Sequence, residues 1–295
     1  MRPSGLRISL VLLVGILASS TASVLVRLAL EAAGTREVGF SLLMSALRLT
    51  FASLVLLLAP PIRLPRSRAA LPFAAWAGVF LALHFALWIT SLSFTSIAAS
   101  TALVTTNPIW VTLFSWLFLK EPPTPPTLLG VGVALAGGLL IGLGEGKEGG
   151  SNPALGNALA LLGAVSVSAY FLLGREAQRR GLSILEYIRL TYPVAALVLL
   201  PLPPLFGTPY FGHPPMAYFW ILLMALIPQL IGHTSFNWAT RYVPPVLVTL
   251  VILLEPVGAS LLGYLLFGEF PGVRVLLGAA VLLLGVALAV LGGRK

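Results

Sequence analysis

Apolar runs of about 20 residues recur from one end of this chain to the other. A helix of that length rises about 30 Å, the thickness of a bilayer's hydrocarbon core. Nothing else in the sequence limits the fold so tightly. Only 9% of the residues are charged and 58% are hydrophobic. A soluble domain carries roughly 25% charged residues, so this chain could not cover a water-facing surface. The expected fold class is an all-α polytopic membrane protein. Reading the runs between turn and charge signals gives ten spans, at 8–30, 38–60, 71–93, 96–119, 125–144, 154–174, 184–206, 215–239, 243–267 and 271–292. There is no Cys, which excludes thiol chemistry, disulfides and cysteine metal sites.

An even number of spans leaves both termini on one side. With that side cytoplasmic, twelve Lys and Arg residues fall in cytoplasmic loops, against four (Arg27, Arg36, Lys147 and Arg274) on the other side. Basic loops are retained inside, so both termini are predicted to be cytoplasmic. The same asymmetry accounts for the net charge of +9 without nucleic acid, and no basic stripe with interleaved aromatics points to such a partner. Arg2, Arg7, an apolar stretch and "LASSTA" could pass for a cleaved signal peptide. A repeat argues for a structural helix instead.

Shifted by 148 residues, the second half lies on the first. From Pro108 to Ile141 the match is gapless and pairs Pro108 with Pro256, Glu121 with Glu269, Gly130 with Gly278 and Gly137 with Gly285. The same shift pairs Gly15 with Gly163 and Arg27 with Arg175, which a signal peptide would not provide. Each repeat holds five spans, an odd number, so the halves enter the membrane with opposite orientations. The expected architecture is ten transmembrane helices as two inverted five-helix repeats. Residues 1–144 form the first repeat, 145–153 a linker loop and 154–295 the second repeat. Inverted repeats of this kind are typical of carriers with a midplane site between the halves.

"TNPIWVTLFSWLFLKEPPTPPTLLGVGVALAGGLLI" (106–141) and "LLEPVGASLLGYLLFGEFPGVRVLLGAAVLLLGVAL" (253–288) each resemble the end of an EamA domain of the drug/metabolite transporter superfamily. In each, a mid-helix Pro precedes a hydrophobic-Glu pair, and a Gly follows. The resemblance implies a central cavity lined mainly by the first four helices of each repeat. It also implies transport of a small metabolite across the cytoplasmic membrane: amino acids, often exported, or alternatively sugars, nucleotide sugars or quaternary amines. Fold alone does not choose among these.

Glu255 is the leading site candidate. It lies about twelve residues, or about 18 Å, into span nine. A charge at the bilayer centre costs on the order of 3 kcal/mol unless it is sheltered. Its repeat partner is Asn107, and both precede a proline (Pro108 and Pro256) that breaks the helical hydrogen-bond ladder. Glu255 reads either as a substrate or proton site or as a structural group shaping the kink. Arg48 is the other deep charge, either a partner for Glu255 or an arginine reaching to the interface. Arg189 and Glu186 lie three residues apart and read as an interfacial pair. In span eight Gln229, His233 and Asn237 recur every four residues on one face, and in span three Phe80, His84 and Trp88 do much the same. These stripes line a cavity or, on the plainer reading, pack between helices. Ala134, Gly138 and Gly142 form a small-residue stripe expected to pack or to make a dimer contact.

An enzyme is not expected: only three His occur, and no HExxH, nucleophile-elbow or phosphate-loop motif is present. No cofactor or metal site is expected either. A channel would use the same scaffold, but an inverted repeat without dense charge rings favours a carrier. The expected partners are a small-molecule substrate, the lipid bilayer and a candidate coupling proton. Monomer and homodimer both remain open.

Overall fold

The computed structural model describes residues 3–59, 68–95, 100, 103–144, 151–267 and 273–292. Among these residues every regular element is helical. Apart from the single turns Arg68–Ala70 and Leu202–Leu205, in chain order they are α1 (Gly5–Ser19), α2 (Ala22–Ala33), α3 (Val38–Leu57), α4 (Leu71–Ser91), α5 (Asn107–Leu119), α6 (Pro125–Gly144) and α7 (Pro153–Arg179). Then follow α8 (Ile184–Leu199), α9 (Pro215–Met224), α10 (Thr234–Thr240), α11 (Pro245–Ile252), α12 (Glu255–Phe267) and α13 (Val273–Gly292). A nine-residue π-helical segment, Ala225–His233, joins α9 to α10.

Seven helical stretches are long and apolar enough to cross a membrane, and three shorter apolar helices occupy the other predicted spans. Their ends follow sequence signals. Ser4 caps α1 through the Arg7 amide, and Ser183 and Glu186 close a reciprocal capping box on α8. Several departures from regular helix interrupt the apolar stretches among the described residues, one of them at Leu200–Pro201, and four others border one region. These four fall at Ser20–Thr21, at Thr105–Thr106 before Asn107, at Leu253–Leu254 before Glu255, and along the π segment, which contains Pro228. Both breaks anticipated from the Asn-Pro and Glu-Pro pairs are therefore present. Each lies just before the polar residue, so Asn107 and Glu255 open the first turn of a half-helix. The Pro256 side chain lies outside the described residues.

Helices α6 and α13 pack backbone to backbone. A methyl group at Gly137 would collide with the Leu282 backbone, and one at Gly285 with the Ala134 backbone. Small residues here allow the close approach that apolar association in lipid requires. Of the stripe Ala134, Gly138 and Gly142, the packing reading holds within the chain for Ala134 and not for Gly138, and a dimer contact is not tested. Ala134 is fully buried, but a side chain at Gly138 would meet nothing within 4 Å, and the packed glycines are Gly130, Gly137 and Gly285. The drift of a 3.6-residue helix explains the difference, since an i, i+4 stripe rotates off a straight contact line.

The pairing of Arg189 with Glu186 is also corrected. Glu186 accepts from the Ser183 amide, and Arg189 donates to the carbonyls of Leu56 and Ala59, capping the end of α3.

Candidate functional site

A cavity enclosing about 610 Å³ of empty space, its open mouth included, lies where the four helix breaks meet. Each break contributes to its wall: Ser19 and Ala22, Thr105 and Asn107, Ile252 and Glu255, and Pro228 and His233. Interrupted helices present polar groups at membrane depth where regular helix would bond them internally.

Arg48 is 1% exposed and lines the cavity. It does not reach an interface. Its Nε donates to Gln229 Oε1 at 3.0 Å, and its guanidinium lies 4.1 Å from the centroid of the Phe85 ring. Glu255 lines the same cavity, but no ion pair within 4.0 Å joins it to Arg48 among the described residues. The expected Arg48–Glu255 pair is thus corrected. The two charges share a cavity, while the direct partner of Arg48 is an amide. Gln229 reaches Arg48 because the π segment carries it there, and its own carbonyl accepts from the Tyr192 hydroxyl at 3.3 Å.

His84 Nδ1 lies 3.0 Å from the Gly163 carbonyl, which can only accept, so Nδ1 carries the proton and Nε2 is left to the cavity. The His84 ring stacks on Trp88, with centroids 5.9 Å apart and planes 7° from parallel. His233 stacks on Phe171 in the same manner at 6.4 Å and meets Phe85 edge-on at 5.4 Å. The two stripes read from sequence therefore meet at this wall through His84, Trp88 and His233. Gln229 stands behind it. Asn237 belongs elsewhere: its side-chain amide donates to the Tyr170 hydroxyl and to the His233 carbonyl, in a buried cluster on the far side of α10.

Among the described residues, five polar atoms on lining residues are buried and have no hydrogen-bond partner: Ser19 Oγ, Arg48 Nη1, Trp88 Nε1, Asn107 Oδ1 and His233 Nδ1. Leaving such a group unsatisfied costs about 1–3 kcal/mol.

Sequence reasoning missed Phe85, which supplies the face under Arg48, and Phe171 and Phe236, which complete the aromatic wall. A signal for Phe85 was available, because the 148-residue shift lays it on His233. The shift also relates two contacts across the molecule: Gly15 packs on Phe236, and Gly163 packs on Trp88.

Away from the cavity, Glu121 accepts from Arg175 at 2.6 Å and lies 3.5 Å from Arg179. Lys120, in the left-handed region at φ 55°, ends α5 and turns Glu121 toward α7. Its repeat partner Glu269 lies outside the described residues. No cluster of three or more potential metal ligands occurs among the described residues.

The profile of the EamA-like transporter family matches residues 6–143 and again residues 154–291. The chain is 29% identical over 201 residues to "Uncharacterized transporter YdfC" of Bacillus subtilis (strain 168), which covers 68% of this chain and 64% of that protein. An "Uncharacterized transporter" of Clostridium kluyveri is 27% identical over 201 residues, with 66% and 64% covered. One of Archaeoglobus fulgidus is 27% identical over 214 residues, with 72% and 73% covered. The matched segment thus spans less than two thirds of the first two relatives. A solved structure described only as "Crystal structure of protein" superposes with a TM-score of 0.78 at 19% identity, covering 99% of this chain and all of that one, and it shares the fold.

Proposed function

Because the chain belongs to the EamA-like transporter family, we propose that it is a carrier in which one central cavity opens alternately to the two sides of the cytoplasmic membrane. A single observation carries this reading: a cation, a carboxylate and five residues with unpartnered buried polar atoms line one cavity bordered by helix breaks. The wider architecture is ten spans as two inverted repeats, 1–144 and 154–295 about a linker at 145–153, with both termini cytoplasmic. Support comes from paired contacts that the 148-residue shift interchanges, Gly15–Phe236 with Gly163–Trp88 and Gly137–Leu282 with Gly285–Ala134. A two-fold axis in the membrane plane requires such pairs.

The solute is an amino acid or a related zwitterion, moved outward. A cavity with one cation and one carboxylate matches a solute carrying one of each. A sugar would leave both Arg48 and Glu255 unpaired, and a quaternary amine would leave Arg48 unpaired, which is costly for a buried charge. Among the described residues Glu255 makes no hydrogen bond or ion pair of its own, so it can hold either the ammonium of the solute or a proton, but not both. That exclusion is the physical basis for exchanging a solute against a proton. The Glu121–Arg175–Arg179 cluster joins the two repeats at the end of the path assigned to the cytoplasm. It holds that end shut in this conformation.

The test is counterflow in proteoliposomes with a panel of labelled amino acids. The proposal expects saturable uptake accelerated by unlabelled solute on the opposite side. Unitary currents across a planar bilayer would indicate a channel instead.

A further inference from the structure

We infer that the free end of the Arg48 guanidinium is a carboxylate-binding site, and that Gln229 is the positioning residue that aims it. The inference rests on the reading of the cavity as the solute site and adds which atoms meet which group of the solute. A guanidinium can receive a carboxylate along its side, through Nε and one Nη, or across its end, through both Nη atoms. Here the side is taken, because Nε donates to Gln229 Oε1 at 3.0 Å. One face is taken as well, by the Phe85 ring at 4.1 Å. What remains is the end: among the described residues neither Nη1 nor Nη2 donates a hydrogen bond.

The placement of the two supporting groups makes this directional. Arg48 and Phe85 line the cavity, whereas Gln229 does not. The amide therefore holds the guanidinium from outside the lining, and the end left without a hydrogen bond belongs to a residue of the cavity wall. Gln229 is itself fixed, fully buried in the π segment with its backbone carbonyl bonded by Tyr192. A neutral amide suits this task. It accepts the Nε–H without neutralising the cation, so the positive charge stays available to the ligand. A planar two-oxygen anion meets the two parallel N–H groups of the free end, while a carboxamide offers one acceptor oxygen and no charge. The aromatic wall beside it, with Trp88 and His84 stacked, takes a flat apolar group on the same solute. The carboxylate of Glu255 shares the cavity without pairing to Arg48, and it would repel a bare monoanion more than a zwitterion.

The reagent phenylglyoxal adds across the two Nη atoms of a guanidinium, so its reaction at Arg48 reads the free end directly. Purified full-length protein in nanodiscs is treated with phenylglyoxal and the Arg48 peptide is followed by mass spectrometry. Protectors are offered in matched pairs: acetate and acetamide, phenylacetate and phenylacetamide, L-phenylalanine and its amide. The expected result is modification of Arg48 and protection by at least one acid, roughly ten-fold or more stronger than by its amide, as expected for charge-assisted bonds. In Gln229→Met the same residue stays modifiable, but the preference for the acid over the amide falls several-fold. A merely structural role for Gln229 would change acid and amide protection alike. An unreactive Arg48, an acid that protects no better than its amide, or an unaltered preference in Gln229→Met would overturn the inference. Protection is an equilibrium measurement, so it stands or falls separately from transport in proteoliposomes.

Discussion

At the scale of single residues, the account turns on two charges that share a cavity without touching. Glu255 is assigned the exchangeable site, for ammonium or proton. Glu255→Gln keeps the shape and removes the charge. It is expected to abolish acceleration of export by an inward proton gradient, while residual solute exchange persists at a rate insensitive to pH. Transport measured with and without the gradient decides this, and an unchanged dependence on the gradient would remove Glu255 from coupling. The depth of Arg48 and Glu255 was legible in the sequence, because each interrupts an apolar run and burying either alone is costly. Their relationship was not. Opposite charges at equal depth invite pairing, but the partner of Arg48 is Gln229, 181 positions away, and only the packing of α3 against the π segment decides that. Likewise the four-residue stripe of span eight predicted one common face. In the structure only His233 of the three lines the cavity, while Gln229 bonds Arg48 and Asn237 bonds the Tyr170 hydroxyl.

At the scale of elements, broken helices and close-packed helices divide the work. The breaks before Asn107 and Glu255 were readable, since Pro removes a backbone donor and the same polar-Pro pair recurs in both halves. The break at Ser20–Thr21 and the π segment carry weaker local signals: a run of hydroxyl residues, whose side chains bond the carbonyls of Ile16 and Ala18, and Pro228. The α6–α13 pair is the rigid counterpart. Gly137→Val would drive a branched side chain into the Leu282 backbone, with an expected cost of about 1–3 kcal/mol from overpacking. Gly138→Val, one residue on, would meet open space. Thermal unfolding in detergent should show a lowered Tm for the first and a nearly unchanged Tm for the second. Equal effects would mean that the backbone contact contributes little.

At the scale of the whole molecule, the proposal is that two halves rock about one cavity and that the ion pairs of Glu121 with Arg175 and Arg179 close one end. The repeat and the polytopic class were visible in the sequence because both rest on long-range regularities, run length and a constant shift. The pairing of Glu121 with Arg175 and Arg179 was not visible, because it joins residues far apart in the chain. The absence of Cys makes the decisive measurement simple. Val104→Cys places a single thiol on the cavity wall, and its labelling by a membrane-impermeant methanethiosulfonate is timed from each face of oriented vesicles. The account predicts reaction from both faces, and it predicts that adding Glu121→Gln raises the cytoplasmic rate while lowering the opposite one. Labelling from one face only, or two rates that rise together, would contradict it.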